Sequence, residues 1–339
     1  MIHPLIHQTD LFHPHGDPDD HFDLATVFAL AAQQRLDLRG IVIDYPPPRR
    51  RGDPALGAVA QFSRLTGVVA PVAVGTSRLM ASRDDTRPAD TREDGGAVRF
   101  VLETLRRSAE PVAISVVGGA TDIAVASKLE PELFAAKCAA IYLNSGSAMP
   151  NPEKPGMLEF NVELNPSGYA ALFDLPCPLY WCPCWNMTEH HAVGRYGTFW
   201  RFPHRDVLGG LRDDVKKTLL YMFDQEPSHR WLTYLRRPLD ERNWGFFLDH
   251  WRNMWSTASL LHAAGQTVTT DGEIVPLATG RKAVFRFAPI AVICTDDGQT
   301  KWKEAPADAK PRRFIFEITD QERYQSAMTR ALSALLGNL

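Results

Sequence analysis

The chain of 339 residues carries 37 Lys and Arg against 40 Asp and Glu, for a net charge of −3, with 45% hydrophobic and 23% charged residues. That is the composition of a globular protein with a sizeable core, and the lack of a long basic block argues against a nucleic-acid surface. No apolar run approaches the roughly 20 residues that span a bilayer, Met1-Ile2-His3-Pro4 lacks the charge and apolar core of a signal peptide, and an odd five cysteines suit reduced thiols. A cytoplasmic protein is therefore expected, with no membrane partner.

The first element is a short strand, Leu5-Ile6-His7-Gln8-Thr9. It leads into His13-Pro14-His15-Gly16-Asp17-Pro18-Asp19-Asp20-His21, where Asp17, Asp19 and Asp20 crowd together before an apolar helix running from Phe22 to Ala31. One or two acids in a first helical turn are ordinary caps that oppose the helix dipole. Three repel one another unless a proton or a cation relieves them, and a hard ion that takes oxygen ligands, Ca²⁺ or Mg²⁺, is the simplest relief. His13, His15 and His21 leave open a transition metal bound by imidazole.

Strand-like runs follow at Leu38 to Asp44, Pro71 to Gly75, Val112 to Val117, Ala139 to Asn144 and Pro178 to Pro183. They alternate with helical stretches at Pro54 to Leu65, Gly96 to Arg107, Asp122 to Lys128 and Pro166 to Phe173. Repeated βα units with nearly continuous apolar strands predict an α/β fold, an open and mainly parallel sheet covered by helices on both faces. Ligands of such sheets bind at the carboxyl ends of the strands. Asp53-Pro54 and Asn165-Pro166 read as helix starts, and Thr319-Asp320-Gln321-Glu322 as a capping box before a helix ending near Leu336.

Pro48-Arg49-Arg50-Arg51 reads as a basic loop, and Cys177, Cys182 and Cys184 as buried strand residues, since no second pair follows at zinc-site spacing. From Arg195 to Arg252 the chain turns aromatic and basic without clear strand alternation, which predicts a helical insertion (195–252) capping a single domain that spans 1–339. β-like runs return at Lys282 to Cys294 and Arg312 to Ile318, joined by a polar loop near Asp296 to Pro311.

Four motifs, taken in order, resemble the nucleoside hydrolase family, the inosine/uridine-preferring N-ribohydrolases. They are Gly16-Asp17-Pro18-Asp19-Asp20; Val116-Val117-Gly118-Gly119-Ala120-Thr121-Asp122-Ile123-Ala124; Ile141-Tyr142-Leu143-Asn144-Ser145-Gly146; and Glu159-Phe160-Asn161-Val162-Glu163-Leu164-Asn165-Pro166-Ser167-Gly168. The resemblance implies a Ca²⁺ ion, or another divalent metal, and hydrolysis of the N-glycosidic bond of a nucleoside or related ribosyl compound by metal-activated water. It also implies a homo-oligomer, dimer or tetramer. Carried over, Asp17 and Asp20 become metal ligands, with Asp17 also the base for the water and the Leu143 carbonyl facing the ion. Asp19, Glu159, Asn161 and Asn144 would hold the sugar. Glu159 and Asn161, at i and i+2, would share one side of an extended segment with Phe160 turned away.

Two departures stand out. Ile43-Asp44-Tyr45 replaces the family's Gly-Asn after the second strand, and Trp255-Ser256 stands where the family has His-Asp, the base-protonating His and a calcium-ligating Asp. Asp249 or Asn253 could supply the missing ligand, and His15 or His250 the missing acid, although Asp249-His250 also reads as an ordinary exposed helix pair. The departures keep a second reading open, a sugar- or nucleoside-binding protein on the same fold with weakened catalysis.

Overall fold

The computed structural model describes residues 2–16, 18–45, 52–87, 96–149, 156–186, 191–306, 310 and 312–339. Asp17 and the Pro48-Arg49-Arg50-Arg51 cluster lie outside the described residues. The first half of the chain forms β1 (His3–Thr9), β2 (Phe12–His13), α1 (Pro18–Ala32), β3 (Leu36–Ile43), β4 (Asp53–Pro54), α2 (Leu56–Thr66), β5 (Val72–Val74), α3 (Gly96–Arg107), β6 (Val112–Val116), α4 (Thr121–Leu129), α5 (Pro131–Lys137), β7 (Cys138–Asn144), α6 (Phe160–Leu164) and α7 (Pro166–Leu172). It continues through β8 (Leu179–Cys182), β9 (Trp200–Pro203), α8 (His204–Leu208), α9 (Asp213–Phe223), α10 (Trp231–Leu235), α11 (Glu241–Leu248) and β10 (Trp251–Met254). The last part comprises α12 (Thr257–Ala263), β11 (Gln266–Val268), β12 (Ile274–Pro276), β13 (Phe285–Cys294), β14 (Thr300–Glu304), β15 (Arg313–Ile318) and α13 (Gln321–Leu336).

Nine strands make one sheet in the order β14-β13-β15-β8-β7-β6-β1-β3-β5. From β15 to β5 all neighbours are parallel, and β13 and β14 run antiparallel at one edge. Successive side chains alternate between faces, so Leu5, Ile41 and Ile43 enter one apolar layer while Ile6, Val42 and Ile114 enter the other. Phe22 and Phe28 of α1, Phe62 of α2, Leu260 of α12 and Met328 of α13 complete the first layer. Val98 of α3, Ile123 of α4 and Tyr169 of α7 complete the second. A sheet buried on both faces is why its strands read as continuous apolar runs.

The strand order also fixes where a ligand fits. From β1 the chain moves outward to β3 and β5, then returns to lay β6 on the other side of β1 before continuing to β7 and β8. The connections after β1 and after β6 therefore leave in opposite directions and open a crevice beyond the carboxyl ends of those two strands. Gln8 ties them together: its side-chain oxygen accepts from the backbone N–H of Val117 and Gly118, each at 3.2 Å, and its amide donates to Asp44 and to the Gly119 carbonyl.

Several local expectations change. Asp53-Pro54 does not start a helix. It pairs as β4 with Phe12-His13, and α2 begins at Leu56 after Ala55 donates to the Leu11 carbonyl. Asn165 does cap α7, accepting from Gly168 N at 3.1 Å. The cap of α13 is Asp320, one residue beyond the expected Thr319, whose hydroxyl donates to the Ala283 carbonyl. The polar stretch after Asp296 contains β14, and the Arg195–Arg252 stretch contains four helices bracketed by β9 and β10, which pair antiparallel. All five cysteines are buried free thiols.

Two buried carboxylates stand at the same end of the sheet. Asp44 accepts from Gln8 and from Gly119 N at 2.6 Å, and Asp122, in the first turn of α4, accepts from Thr76 N at 3.1 Å. Burial pushes both upward, Asp44 well above the usual carboxylate range with Asp10 and Asp122 adding repulsion, and Asp122 to about 7. A raised acid binds its proton more tightly in the folded chain than in the unfolded one. Stability from this source is thus fully present near pH 4 and declines toward pH 7, with a slope of at most about 1.4 kcal/mol per pH unit for one group.

Two outcomes follow for the metal-free protein. In chelator, buried histidines such as His15, held neutral by burial, lose stability as pH falls and oppose the carboxylates. The contribution of Asp122 is therefore read by comparison: the urea midpoint at pH 5 less that at pH 8 should be smaller in Asp122→Asn than in the wild type, and an equal difference in the variant would remove Asp122 as a source. Gly118→Ala places a Cβ 2.7 Å from Asp44 Oδ2 and 2.8 Å from the backbone N of Asp10. Because backbone is in the way, the substitution should cost about 1–3 kcal/mol in urea unfolding, and a wild-type midpoint would show that the strand ends can move apart.

Candidate active site

The crevice beyond β1 and β6 holds a cavity of about 220 Å³ lined by Asp10, Asp19, Asp20, Asp23, Val117, Asn144, Glu159, Phe160, Asn161, Cys184, Trp185, His191, Trp255 and Ser256. Each comes from a segment that the sheet delivers there. Asp10 follows the last residue of β1, Val117 follows β6, Asn144 ends β7, and Cys184 and Trp185 follow β8. Asp19, Asp20 and Asp23 lie in the first two turns of α1, where spacings of three and four residues put them on one face and the helix dipole favours negative charge. Asp20 is 4% exposed, and its Oδ1 accepts from the Thr9 hydroxyl at 3.1 Å.

Glu159 and Asn161 reach the cavity in a different way from the extended segment expected. Glu159 is the N-cap of α6, its carboxylate accepting from Asn161 N at 3.0 Å, and the chain turns helical at Phe160, so Phe160 lines the same cavity instead of facing away. The Glu159 carboxylate also accepts from Gly146 N at 2.7 Å and Ser145 Oγ at 3.3 Å. Burial outweighs these donors and lifts its pKa to about 7. Asn161 Nδ2 donates to the carbonyls of Val117, at 3.0 Å, and Asn144, at 3.1 Å, bracing the ends of β6 and β7.

The remaining candidates separate. Asn144 lines the cavity; its Oδ1 accepts from Ser259 Oγ at 2.6 Å and its amide donates to the Trp255 carbonyl at 3.4 Å. Leu143, fully buried within β7 between Val116 and Trp181, is not a lining residue. His15 is 1% exposed and packs against the rings of His13, His21 and Tyr221, away from the lining set; burial pulls its pKa down to about 4. His250 lies in the helical stretch against Phe223 and Phe246, its Nδ1 donating to the Phe246 carbonyl at 2.8 Å. Asp249 pairs with Arg205 at the surface, and Asn253 pairs with Arg201 between β9 and β10. Trp255 and Ser256, the residues in the place of the family's His-Asp, do line the cavity.

Asp10, Asp23, Val117, Cys184, Trp185 and His191 are lining residues that sequence reasoning did not select. For Asp10 a signal exists: it directly follows the β1 run, where ligands of parallel sheets sit. The denser acidic turn drew the choice to Asp17 instead. His191 carries no comparable signal, because only the fold brings residue 191 beside residue 255.

The donor set is oxygen-rich and acidic, with five carboxylates and neither Lys nor Arg among the lining residues. This chemistry suits a hard divalent cation. Among the described residues, however, no three His, Cys, Asp or Glu side chains stand close enough to hold an ion by themselves, which also holds for the histidines His13, His15 and His21. An ion here would need water or substrate oxygens to complete its shell.

No protein-family model matches the chain. The pyrimidine-specific ribonucleoside hydrolase RihA of Salmonella paratyphi B is 28% identical over 144 residues, 42% of this chain and 44% of RihA, so the match spans less than half the length of that relative. Among solved structures, the purine-preferring ribonucleoside hydrolase from Gardnerella vaginalis aligns over 99% of this chain and 100% of its own, with a TM-score of 0.61 and 14% identity. The effector protein XOO4466 aligns over 99% of this chain and 93% of its own, with a TM-score of 0.63 and 19% identity. The resemblance carried by the motif order thus extends to the architecture, and the fold of this chain is that of the nucleoside hydrolases.

Proposed function

We propose that the protein hydrolyses the N-glycosidic bond of a ribonucleoside or related ribosyl compound, with a hard divalent cation, Ca²⁺ in the first instance, at the acidic floor of the cavity. One observation carries the reading: Asp10, Asp19, Asp20, Asp23, Glu159 and Asn161, drawn from two distant parts of the chain, meet in one cavity where the connections after β1 and β6 leave in opposite directions. Breaking an N-glycosidic bond builds positive charge on the ribose, and fixed carboxylates stabilise that charge as it develops. Asp10 and Asp20 are the ligands proposed for the cation. When bound, it neutralises the carboxylate repulsion and acidifies a neighbouring water.

The other residues divide the sugar between them. Asp19 accepts from a ribose hydroxyl, Glu159 and Asn161 Oδ1 take the hydroxyls on the opposite wall, and a floor carboxylate receives the proton of the attacking water. With no Lys or Arg in the lining, the cavity suits a neutral ribosyl compound better than a phosphorylated one. The second reading, a binding protein, draws support from Ser256, which stands where the family supplies a carboxylate. Binding of ribosides without release of a free base from any of them would select it.

Calcium binding should raise the melting temperature of the wild type. A ligand at 100 times its Kd adds about 2.7 kcal/mol of stability, and Asp20→Ala and Asp10→Asn should each abolish that rise. The same variants should slow riboside hydrolysis, because they remove the cation that acidifies the water. Undiminished calcium stabilisation in Asp20→Ala would remove that residue from the cation site.

A further inference from the structure

Where the family presents its leaving-group acid, this chain presents Trp255, whose Nε1 donates to the Cys184 carbonyl at 3.1 Å and carries no titrating proton. The same wall holds a histidine from elsewhere in the sequence. His191 lines the cavity with its ring centroid 5.9 Å from that of Trp255 and 5.5 Å from that of Phe199, while Trp255 and Phe199 are themselves 5.5 Å apart. We propose that His191 is the general acid that protonates the departing base, doing from residue 191 what the Trp255 position cannot do. This inference rests on the hydrolase reading above.

The two ends of the cavity differ in the way the reaction requires. Asp10, Asp20 and Asp23 are 3%, 4% and 2% exposed and form its floor, whereas Phe160, 44% exposed, and His191, exposed beside Trp255, belong to its outer edge. With a ribose at the deep carboxylates, Phe160, Trp255 and His191 are the lining residues left to face its base. Among the described lining residues the other titratable groups are the five carboxylates and Cys184. The carboxylates serve the sugar end, and the Cys184 thiol is pushed well above its ordinary range by burial and by Glu159. His204 and His262 do not line the cavity, and burial pulls them to about 3 and about 4. Imidazole is the side chain most often used as a general acid or base.

In the step itself the C1′–N bond breaks and its electron pair goes to the base nitrogen, which takes the proton of the His191 imidazolium. Water adds its oxygen to C1′ and gives its proton to a floor carboxylate. Solvent then returns a proton to His191, which its exposure permits, and takes one from the carboxylate.

The test compares wild type and His191→Gln on uridine and inosine, whose bases need a proton to leave, and on p-nitrophenyl riboside, whose nitrophenolate does not, all with saturating Ca²⁺. The expected result is a fall of roughly 10²–10⁴ in kcat on the nucleosides, with less than about a tenfold fall on the nitrophenyl substrate, which also reports that the variant is folded. An equal fall on both classes, or none, overturns the role of His191 while leaving the hydrolase reading standing. Failure of the wild type to cleave any of the three overturns the hydrolase reading, and the role of His191 with it.

Discussion

Asp10, Asp19, Asp20, Asp23 and Glu159 face one cavity, and Asp44 stands just behind its wall, separated from Asp10 by Gly118. Two like charges about 4 Å apart repel by about 4 kcal/mol at the effective dielectric near a protein surface. A fold gathers such a group only if its surroundings absorb part of the repulsion. Here Thr9 Oγ serves Asp20, Gly119 N and Gln8 serve Asp44, Thr76 N serves Asp122, and the N–H groups of Gly146 and Asn161 serve Glu159. What the donors do not absorb appears as raised proton affinity at Asp44, Asp122 and Glu159. The end of the sheet is thus held in a state that a proton or a cation stabilises, and the placement of Gln8, Gly118 and Asn161 follows from the need to brace it.

How much of this was legible in the sequence depended on the range of the interaction involved. Strand and helix positions in the first half are local, set by apolar runs and turn residues, and β6, β7, β8, α3 and α7 fall within two residues of expectation. Features fixed by distant partners were not legible. Asp53-Pro54 has the local pattern of a helix start, yet Phe12-His13 captures it as a strand. Glu159-Phe160-Asn161 alternates like a strand but caps a helix, because the Glu159 carboxylate finds Asn161 N two residues on and Gly146 N in the turn after β7. β14 hides in a polar stretch because an edge strand with a solvated face needs few apolar residues.

At the site the same division holds. Asp19, Asp20, Glu159, Asn161 and Asn144 all reach the cavity, and each is carried by a contiguous motif. Asp10 was passed over since a single acid after a strand is unremarkable without knowing which strands lie beside it. His191 depends on a packing contact with Phe199 and Trp255 that no spacing rule encodes. His15 and His250 looked like acids by proximity in sequence, but one is buried among aromatic rings and the other sits in the helical stretch.

The pairing of β9 with β10 brings the two ends of that helical stretch side by side, Trp200 opposite Met254 and Pro203 opposite Trp251. Everything from α8 to α11 is therefore an excursion that leaves and rejoins the molecule at one gate, and Met254 hands the chain straight to Trp255 and Ser256. The excursion is not a loose appendage, since Val207, Leu219 and Phe247 from it join Phe22 and Phe28 of α1 in one apolar layer. The helices that cap the sheet thereby also hold from outside the helix whose first turns carry Asp19, Asp20 and Asp23.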